Sequence, residues 1–344
     1  MGQVIFIGPI GPLHKMAGGD SVKNYLMTQR LRTFFDDLVI HDTNLCRKSL
    51  TKTLKLVGTL LFRRKSHFIV SAASGGAYRI LQVMRLLGIH DTIYWVIGGD
   101  APRRISSGEL SAWPYKNVRL FIVEGKKMAA ELNNKGFTNT LVLPNFKHIT
   151  YIPLKNWERS GRPRRFVFLS RVMREKGCDL IFDAMRLLGE KDLSDLFTVD
   201  FYGRISEDYE ADFRQQLSCT PNAQYKGFLN LQDTAGVDVL ASYDAMLFPT
   251  FYPSEGFAGV LVDAMVAGLP VIASDWSLNA ETVEDGVNGI IIPPSDAHAL
   301  FEAMYRLITD HATVIKMGKE CQSRCLRYDT DHLLTREYLD SIGL

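Results

Sequence analysis

Two carboxylates, Glu255 and Asp263, stand eight residues apart in the stretch FPTFYPSEGFAGVLVDAMVAGLPVIASD (248–275). Gly256, Phe257 and Ala258 follow the first of them directly. The pattern predicts a buried strand over YDAMLFPT (243–250), a turn at YPSEG, and a helix over FAGVLVDAMVAG ending at Gly268. Glu255 then sits at the carboxyl end of a strand, just before a helix N-terminus. The amides of Gly256, Phe257 and Ala258 would be oriented there to receive an anion. Eight residues span a little over two helical turns, which puts Asp263 roughly on the same side as Glu255. Such carboxylates can hold the hydroxyls of a sugar or ribose while phosphates lie against the amides. The plainer alternative is a helix cap with an acidic first turn, and for Asp263 a solvated or structural role.

The surrounding elements must hold these groups in place. In the first half, QVIFIG (3–8), DDLVIHD (36–42), SHFIVSAA (66–73), TIYWVIGG (92–99), VRLFIVEG (118–125) and TLVLPN (140–145) read as strands. Helix-period segments lie between them, among them Ser21–Phe35, Ala77–Leu87 and Lys126–Lys135. The run PLKNWERSGRPRR (153–165) breaks the pattern and is the best linker candidate. The alternation restarts with RRFVFLSR (164–171), FTVDFYG (197–203), AQYKGF (223–228), YDAMLFPT, LPVIASD (269–275) and NGIIIPP (288–294). A helix follows over Asp296–Ile308, and the tail 311–344 reads as wholly helical. Strands alternating with helices imply mostly parallel sheets covered on both faces. The expectation is an α/β chain of two Rossmann-like, doubly wound domains facing a central cleft, with ligands beyond the carboxyl ends of the strands.

The chain has 344 residues, 46% of them hydrophobic, enough for about two domains. No run of 18 or more apolar residues occurs, so no spanning helix is expected. MGQVIFIGPIGP lacks the basic start of a signal peptide. Five scattered cysteines, with no CxxC pair, suit a reducing cytoplasm. The eight histidines show no metal-ligand spacing. The net charge of +2 conceals an asymmetry. Residues 1–155 hold 22 Lys and Arg against 9 Asp and Glu, whereas 156–344 hold 18 against 29. A basic first half is expected to meet something anionic: nucleic acid, a membrane surface or a phosphorylated acceptor. Its stretch RKSLTKTLKLVGTLLFRRK (47–65) has seven cations and no acid. Leu50, Leu54, Val57 and Leu61 recur at helical spacing, and Lys48, Lys52 and Lys55 share another face. A basic amphipathic helix can lie on anionic lipid. An ordinary outer helix packing its leucines on the sheet fits the same pattern.

The stretch from Glu255 to Asp263 resembles the E-x7-E region of retaining glycosyltransferases of family 4, which have the GT-B fold. The second carboxylate of that motif is usually Glu, and here it is the shorter Asp263. The resemblance implies that Gly256, Phe257 and Ala258 meet a nucleotide-diphosphate sugar donor. FLSRVMREKGCDLIFDAM (168–185) is similar to the family's strand-end Arg and Lys segment, implying that Arg171 and Lys176 grip the donor diphosphate. A diphosphate calls for about two cations, and Arg offers bidentate hydrogen bonds. A surface charge pair is the alternative. YKGFLN (225–230) resembles the loop near the nucleotide base, and NAETVEDGVNGIIIPPSDAHAL (279–300) resembles the segment that follows. GPIGPLHKMAGGDSVKNYL (8–26) resembles the family's first loop, implicating Gly18 and Gly19 near donor phosphate and acceptor. Its spacing is not the GxGxxG of dinucleotide binding.

Many relatives carry a His at the end of the fourth strand. Here IYWVIGGDAPRR (93–104) has none, and Asp100 is the nearest polar candidate on the acceptor side, or simply a turn residue. Family relatives generally need no bound metal, so neither a metal nor another cofactor is expected. The resemblance implies an acceptor-side domain over 1–155, a nucleotide-sugar domain over 156–325, and a last helix over 326–344 crossing back to the first. It implies a retaining hexosyltransferase-type enzyme in surface polysaccharide biosynthesis, with Glu255, Arg171 and Lys176 catalytic. The acceptor would be a glycan or a lipid-diphosphate-linked glycan, and nucleic acid is not an expected partner. The protein would be cytoplasmic, peripheral at the inner face of the plasma membrane. A sugar-nucleotide epimerase of the same fold and a catalytically silent nucleotide-sugar binder are the alternatives.

Overall fold

The computed structural model describes residues 2–10, 19–155, 157 and 163–344. Every apolar run expected as a strand forms one. The first six are β1 (Val4–Gly8), β2 (Val39–Asp42), β3 (His67–Val70), β4 (Thr92–Trp95), β5 (Leu120–Val123) and β6 (Thr140–Val142). They pair in the order β2-β1-β3-β4-β5-β6, parallel throughout. The next six are β7 (Arg164–Leu169), β8 (Phe197–Tyr202), β9 (Ala223–Gly227), β10 (Ala245–Phe248), β11 (Val271–Ser274) and β12 (Gly289–Ile292). Their order is β12-β11-β10-β7-β8-β9, again parallel. Helices cover both faces of such sheets, so inner strands read as unbroken apolar runs. β4, β10 and β11 are buried at every position.

The strands are shorter than their apolar runs. TIYWVIGG continues to pair past Trp95 through Val96 N–H to Ile122 O (2.8 Å), and the chain then turns at Gly98, whose φ is 78°. On one face of the second sheet Phe166, Phe168 and Phe201 pack with Phe182 and Phe213, and on the other Met246 and Val271 pack with Leu261 and Leu269.

The chain divides into two compact units, Met1–His148 with Tyr328–Leu344, and Ile149–Arg327. Residues 149–155, expected with the first domain, thus lie with the second. Tyr151 donates to Asp238 Oδ1 (2.7 Å), and Lys155 Nζ donates to Tyr243 O (2.8 Å) and Gly268 O (3.0 Å). Part of the expected linker, 158–162, lies outside the described residues.

The end of the chain belongs to the first unit, through two short helices, Thr330–Leu333 and Arg336–Ser341, where one continuous helix was expected. Backbone pairing with Lys147 explains the break. Lys147 N–H donates to Tyr328 O (2.9 Å) and Thr330 N–H to Lys147 O (2.8 Å), which holds Asp329 extended. Leu334, Leu339, Ile342 and Leu344 then enter the core formed by Val4, Phe6, Met27, Leu31 and Trp95. Arg30 Nε to Leu334 O (2.9 Å) and Arg119 Nη1 to Ile342 O (2.9 Å) fasten the segment.

Candidate active site

In the second sheet the chain runs from β7 outward to β8 and β9, then returns to place β10 on the other side of β7. The chain leaves β7 and β10 toward opposite sides of the sheet, the switch point at which doubly wound sheets bind ligands. Arg171 lies just beyond β7, and Lys176 closes a single 3-10 turn, Arg174–Lys176. Thr250 and Glu255 lie beyond β10. Gly177 lets the two segments meet. Its φ is 82°, and a Cβ there would stand 2.3 Å from Pro249 O. Phe251 N–H donates to Glu175 O (2.8 Å), pinning one segment to the other.

This contact brings Lys176 Nζ onto Glu255 Oε2 as a buried ion pair, with side chains 7% and 9% exposed. Thr250 Oγ1 donates to the same carboxylate oxygen at 2.9 Å and lies 3.3 Å from Glu175 O. Ser277 Oγ donates to Glu255 O (2.6 Å), and Trp276 Nε1 donates to Tyr252 O (2.7 Å). Ser274 Oγ donates to Thr250 O from the end of β11. The Arg171 guanidinium lies over the Tyr252 ring, 5.0 Å from its centroid, and Lys176 Nζ lies 5.1 Å from the same ring. Arg171 is exposed and makes no ion pair among the described residues. The thiol of Cys178, next to Gly177, is fully buried, and burial pushes its pKa far up. It stays protonated and is no nucleophile.

The helix after Glu255 begins later than expected. It spans Gly259–Val266, with Ala258 extended at its N-cap. The turn closed by Glu255 N–H to Tyr252 O (3.0 Å) and the Ser277 bond to Glu255 O keep the chain out of helical conformation until Gly259. Helical spacing therefore does not relate Glu255 to Asp263, contrary to the expectation. Glu255 reaches Lys176 from a loop, while Asp263 sits half-buried within the helix. Phe257 and Ala258 are buried, and Gly256 is partly so. The N–H groups of Gly256 and Ala258 donate to no acceptor among the described residues. Thr250, Ser274, Trp276 and Ser277 are participants that the sequence reading missed. The available signal was a run of hydroxyl residues at the ends of β10 and β11.

In the first unit, Gly18 lies outside the described residues, and Gly19 opens the helix Gly19–Arg32. That helix carries Lys23, whose Nζ pairs with Glu124 Oε1 at 2.7 Å, both side chains 3% exposed. Asn24 Nδ2 donates to Pro9 O and Ser71 O, each at 3.0 Å, and Ser71 Oγ donates to Asn24 Oδ1 (2.7 Å). This buried polar cluster at the carboxyl ends of β1, β3 and β5 was also missed. Its members are far apart in sequence. Asp100 begins the helix Asp100–Ser107. Its Oδ2 accepts from Ser74 Oγ (3.0 Å) and faces Arg104 Nη1 at 3.5 Å. Among the described residues, no group of three or more His, Cys, Asp or Glu side chains is placed to hold a metal ion.

Residues 163–310 match the family described as glycosyl transferases group 1. The amylovoran biosynthesis glycosyltransferase AmsK of Erwinia amylovora is 24% identical over 192 residues, 54% of this chain and 46% of that protein. The O-antigen chain mannosyltransferase C of Escherichia coli is 26% identical over 181 residues, 52% of this chain and 46% of that one. The chain thus spans about half the length of these curated relatives. The crystal structure of Anabaena Alr3699/HepE in complex with UDP superposes with a TM-score of 0.75 at 17% identity, covering 98% of this chain and 100% of that one. The chain therefore has the GT-B fold, and within its second unit residues 163–310 are similar to glycosyl transferases group 1.

Proposed function

We propose that the chain is a retaining glycosyltransferase of the family 4 type. It would move a sugar, of the hexosyl type, from a nucleotide-diphosphate sugar to a glycan or lipid-diphosphate-linked glycan in surface polysaccharide assembly. The observation that carries this reading is the set of Arg171, Lys176 and Glu255 at the switch point of the second sheet. The similarity to polysaccharide and O-antigen glycosyltransferases supports it, as does a structural neighbour solved with UDP-glucose.

In this reading the residues divide the labour. Lys176 is already neutralised by Glu255, so the free positive charge is that of Arg171. A donor diphosphate pairs with Arg171 and draws on Lys176 at its inner side, while the open amides of Gly256 and Ala258 take further oxygens. Charge grows on the diphosphate as the sugar leaves, and cations fixed beforehand stabilise that charge more than the ground state. Glu255, steadied by Thr250 and Ser277, is left to hold the hydroxyls of the donor sugar. Asp263 would reach the ribose. Asp100 is the acceptor-side candidate, and no metal is expected, with Arg171 supplying the free charge and Lys176 shared between Glu255 and the donor. The basic first half points to an anionic acceptor at the cytoplasmic face of the plasma membrane.

The test has two steps. A thermal-shift screen across UDP-, GDP- and ADP-sugars identifies the donor, since a ligand of the native state raises stability. The stabilising donor is then incubated with candidate acceptors. Nucleoside diphosphate released only when acceptor is present supports transfer. Isomerised sugar nucleotide without acceptor would make the chain an epimerase, and binding without turnover a silent binder.

A further inference from the structure

The helix Leu50–Phe62 buries only Leu60. Its apolar row faces outward: Leu50 is 75% exposed, Leu54 59%, Val57 44%, Leu61 39% and Phe62 87%. The ordinary packing role that the leucine spacing also allowed is therefore not what these residues do. At 100° per residue, Leu50, Leu54, Val57 and Leu61 fall within a narrow stripe along the helix. Thr59 Oγ1 lies 3.0 Å from His41 Nε2 and Leu60 is buried, so the helix is anchored by a different side. At its C-terminal end, Arg64 Nη1 donates to Leu87 O (3.4 Å). This brings it beside Leu86, itself 75% exposed.

The charges around this stripe are of one sign. Arg47, Lys48, Lys52, Lys55, Arg63, Arg64 and Lys65 are all exposed. None pairs with an Asp or Glu among the described residues, and 47–65 holds no acid. Five of the seven bracket the stripe, two before it and three after. A solvent-facing apolar row of this size marks a contact surface. A protein partner would need an acidic rim around an apolar groove, whereas an anionic bilayer provides negative headgroups above an apolar layer. On this helix an exposed apolar row is flanked by cations at both ends, which lets each meet its own layer.

We propose that the helix Leu50–Phe62 lies in the headgroup region of an anionic bilayer. Leu50, Leu54, Leu61 and Phe62 enter the acyl boundary, and Arg47, Lys48, Arg63, Arg64 and Lys65 meet the phosphates. The helix spans 13 residues and is far too short to cross, and no helix among the described residues is long and apolar enough to do so. The inference rests on surface chemistry alone and holds whether or not the chain transfers a sugar.

The test is co-sedimentation of the full chain with phosphatidylglycerol–phosphatidylcholine vesicles and with pure phosphatidylcholine vesicles, at low and high salt. Binding is expected on the anionic vesicles, weakening as salt shortens the screening length from roughly 10 Å at about 0.1 M. Leu50→Gln/Leu54→Gln/Phe62→Gln should lower vesicle affinity by about 10-fold or more, and so should replacing the five bracketing cations by Gln. The apolar set is solvent-facing and should leave the melting temperature unchanged, while the cation set, which loses the Arg64 bond to Leu87 O, should lower it only slightly. Phe62→Trp should show blue-shifted fluorescence on the anionic vesicles only. No vesicle binding at low salt would overturn the proposal. So would binding that ignores the apolar substitutions, which would reduce the surface to a charge patch. Self-association abolished by the same substitutions, without lipid binding, would assign the face to a second copy of the chain.

Discussion

Arg171, Lys176 and Glu255 lie beyond the ends of neighbouring strands but face different physical constraints. Arg171 is exposed and its guanidinium rests on a ring, so Arg171→Ala should leave the melting temperature unchanged. It should weaken nucleoside diphosphate binding by roughly 1.5–3 kcal/mol, the worth of a charged hydrogen bond. The nucleoside alone should bind as before in isothermal titration, and equal losses for both ligands would remove Arg171 from the phosphate site. Lys176 is buried against Glu255. Lys176→Met strands a carboxylate and should cost about 3–5 kcal/mol of stability. Lys176→Met/Glu255→Leu should recover most of that loss in denaturant unfolding while remaining inactive. Glu255→Gln keeps the shape and removes the charge, so turnover should fall by about 10²-fold or more with nucleotide affinity nearly kept. Near-normal turnover of a folded Glu255→Gln protein would take Glu255 out of the mechanism.

Elements decide whether those side chains meet. The loop after β7 reaches the loop after β10 because Gly177 has a left-handed backbone and no Cβ to strike Pro249. Gly177→Ala should lower stability by about 1–3 kcal/mol and loosen nucleoside diphosphate binding with it. Unchanged affinity in that variant would show that the two loops are not coupled. The Leu50–Phe62 helix depends on a second contact, between Thr59 and His41. Burial, and then the charge of Arg63, holds the His41 pKa below its usual 6.5. The folded chain therefore binds fewer protons here than the unfolded chain. The associated stability is fully present above pH 6.5 and is lost as the pH falls below it. Protection factors of the helix amides, referred to the intrinsic exchange rate at each pH, should fall on acidification in the wild type, and much less in His41→Asn.

At the scale of the whole molecule, the two units differ in how the chain builds them. The unit Ile149–Arg327 is continuous, whereas the other needs the last segment to return. Removing residues 328–344 takes Leu334, Leu339, Ile342 and Leu344 out of the first unit's core. Each buried aliphatic side chain so lost costs on the order of 2–5 kcal/mol, enough together to unfold a marginal unit. The truncated chain should lose one of two calorimetric transitions, while a fragment of residues 149–327 should melt cooperatively and still bind the donor nucleotide. Two retained transitions would show that the tail only decorates the first unit.

Periodicity alone determined the twelve strands, the alternation with helices and hence the two parallel sheets, because inner strands of such sheets are continuous apolar runs bounded by turns. Arg171, Lys176 and Glu255 were singled out by the resemblance of their segments to family motifs, and all three lie beyond the carboxyl ends of such runs. Local contacts decided what pattern could not. The helix after Glu255 starts late because side chains from elsewhere hold the turn, so a spacing of eight residues carried no geometry across it. The Lys23–Glu124 pair joins residues a hundred positions apart and leaves no local trace. The row Leu50, Leu54, Val57 and Leu61 had the spacing of a core-facing stripe. Only the tertiary structure, by anchoring the helix on another side, turned that row toward the surroundings. Amphipathic spacing gives a helix two faces, and the contacts of the rest of the chain choose which one is buried.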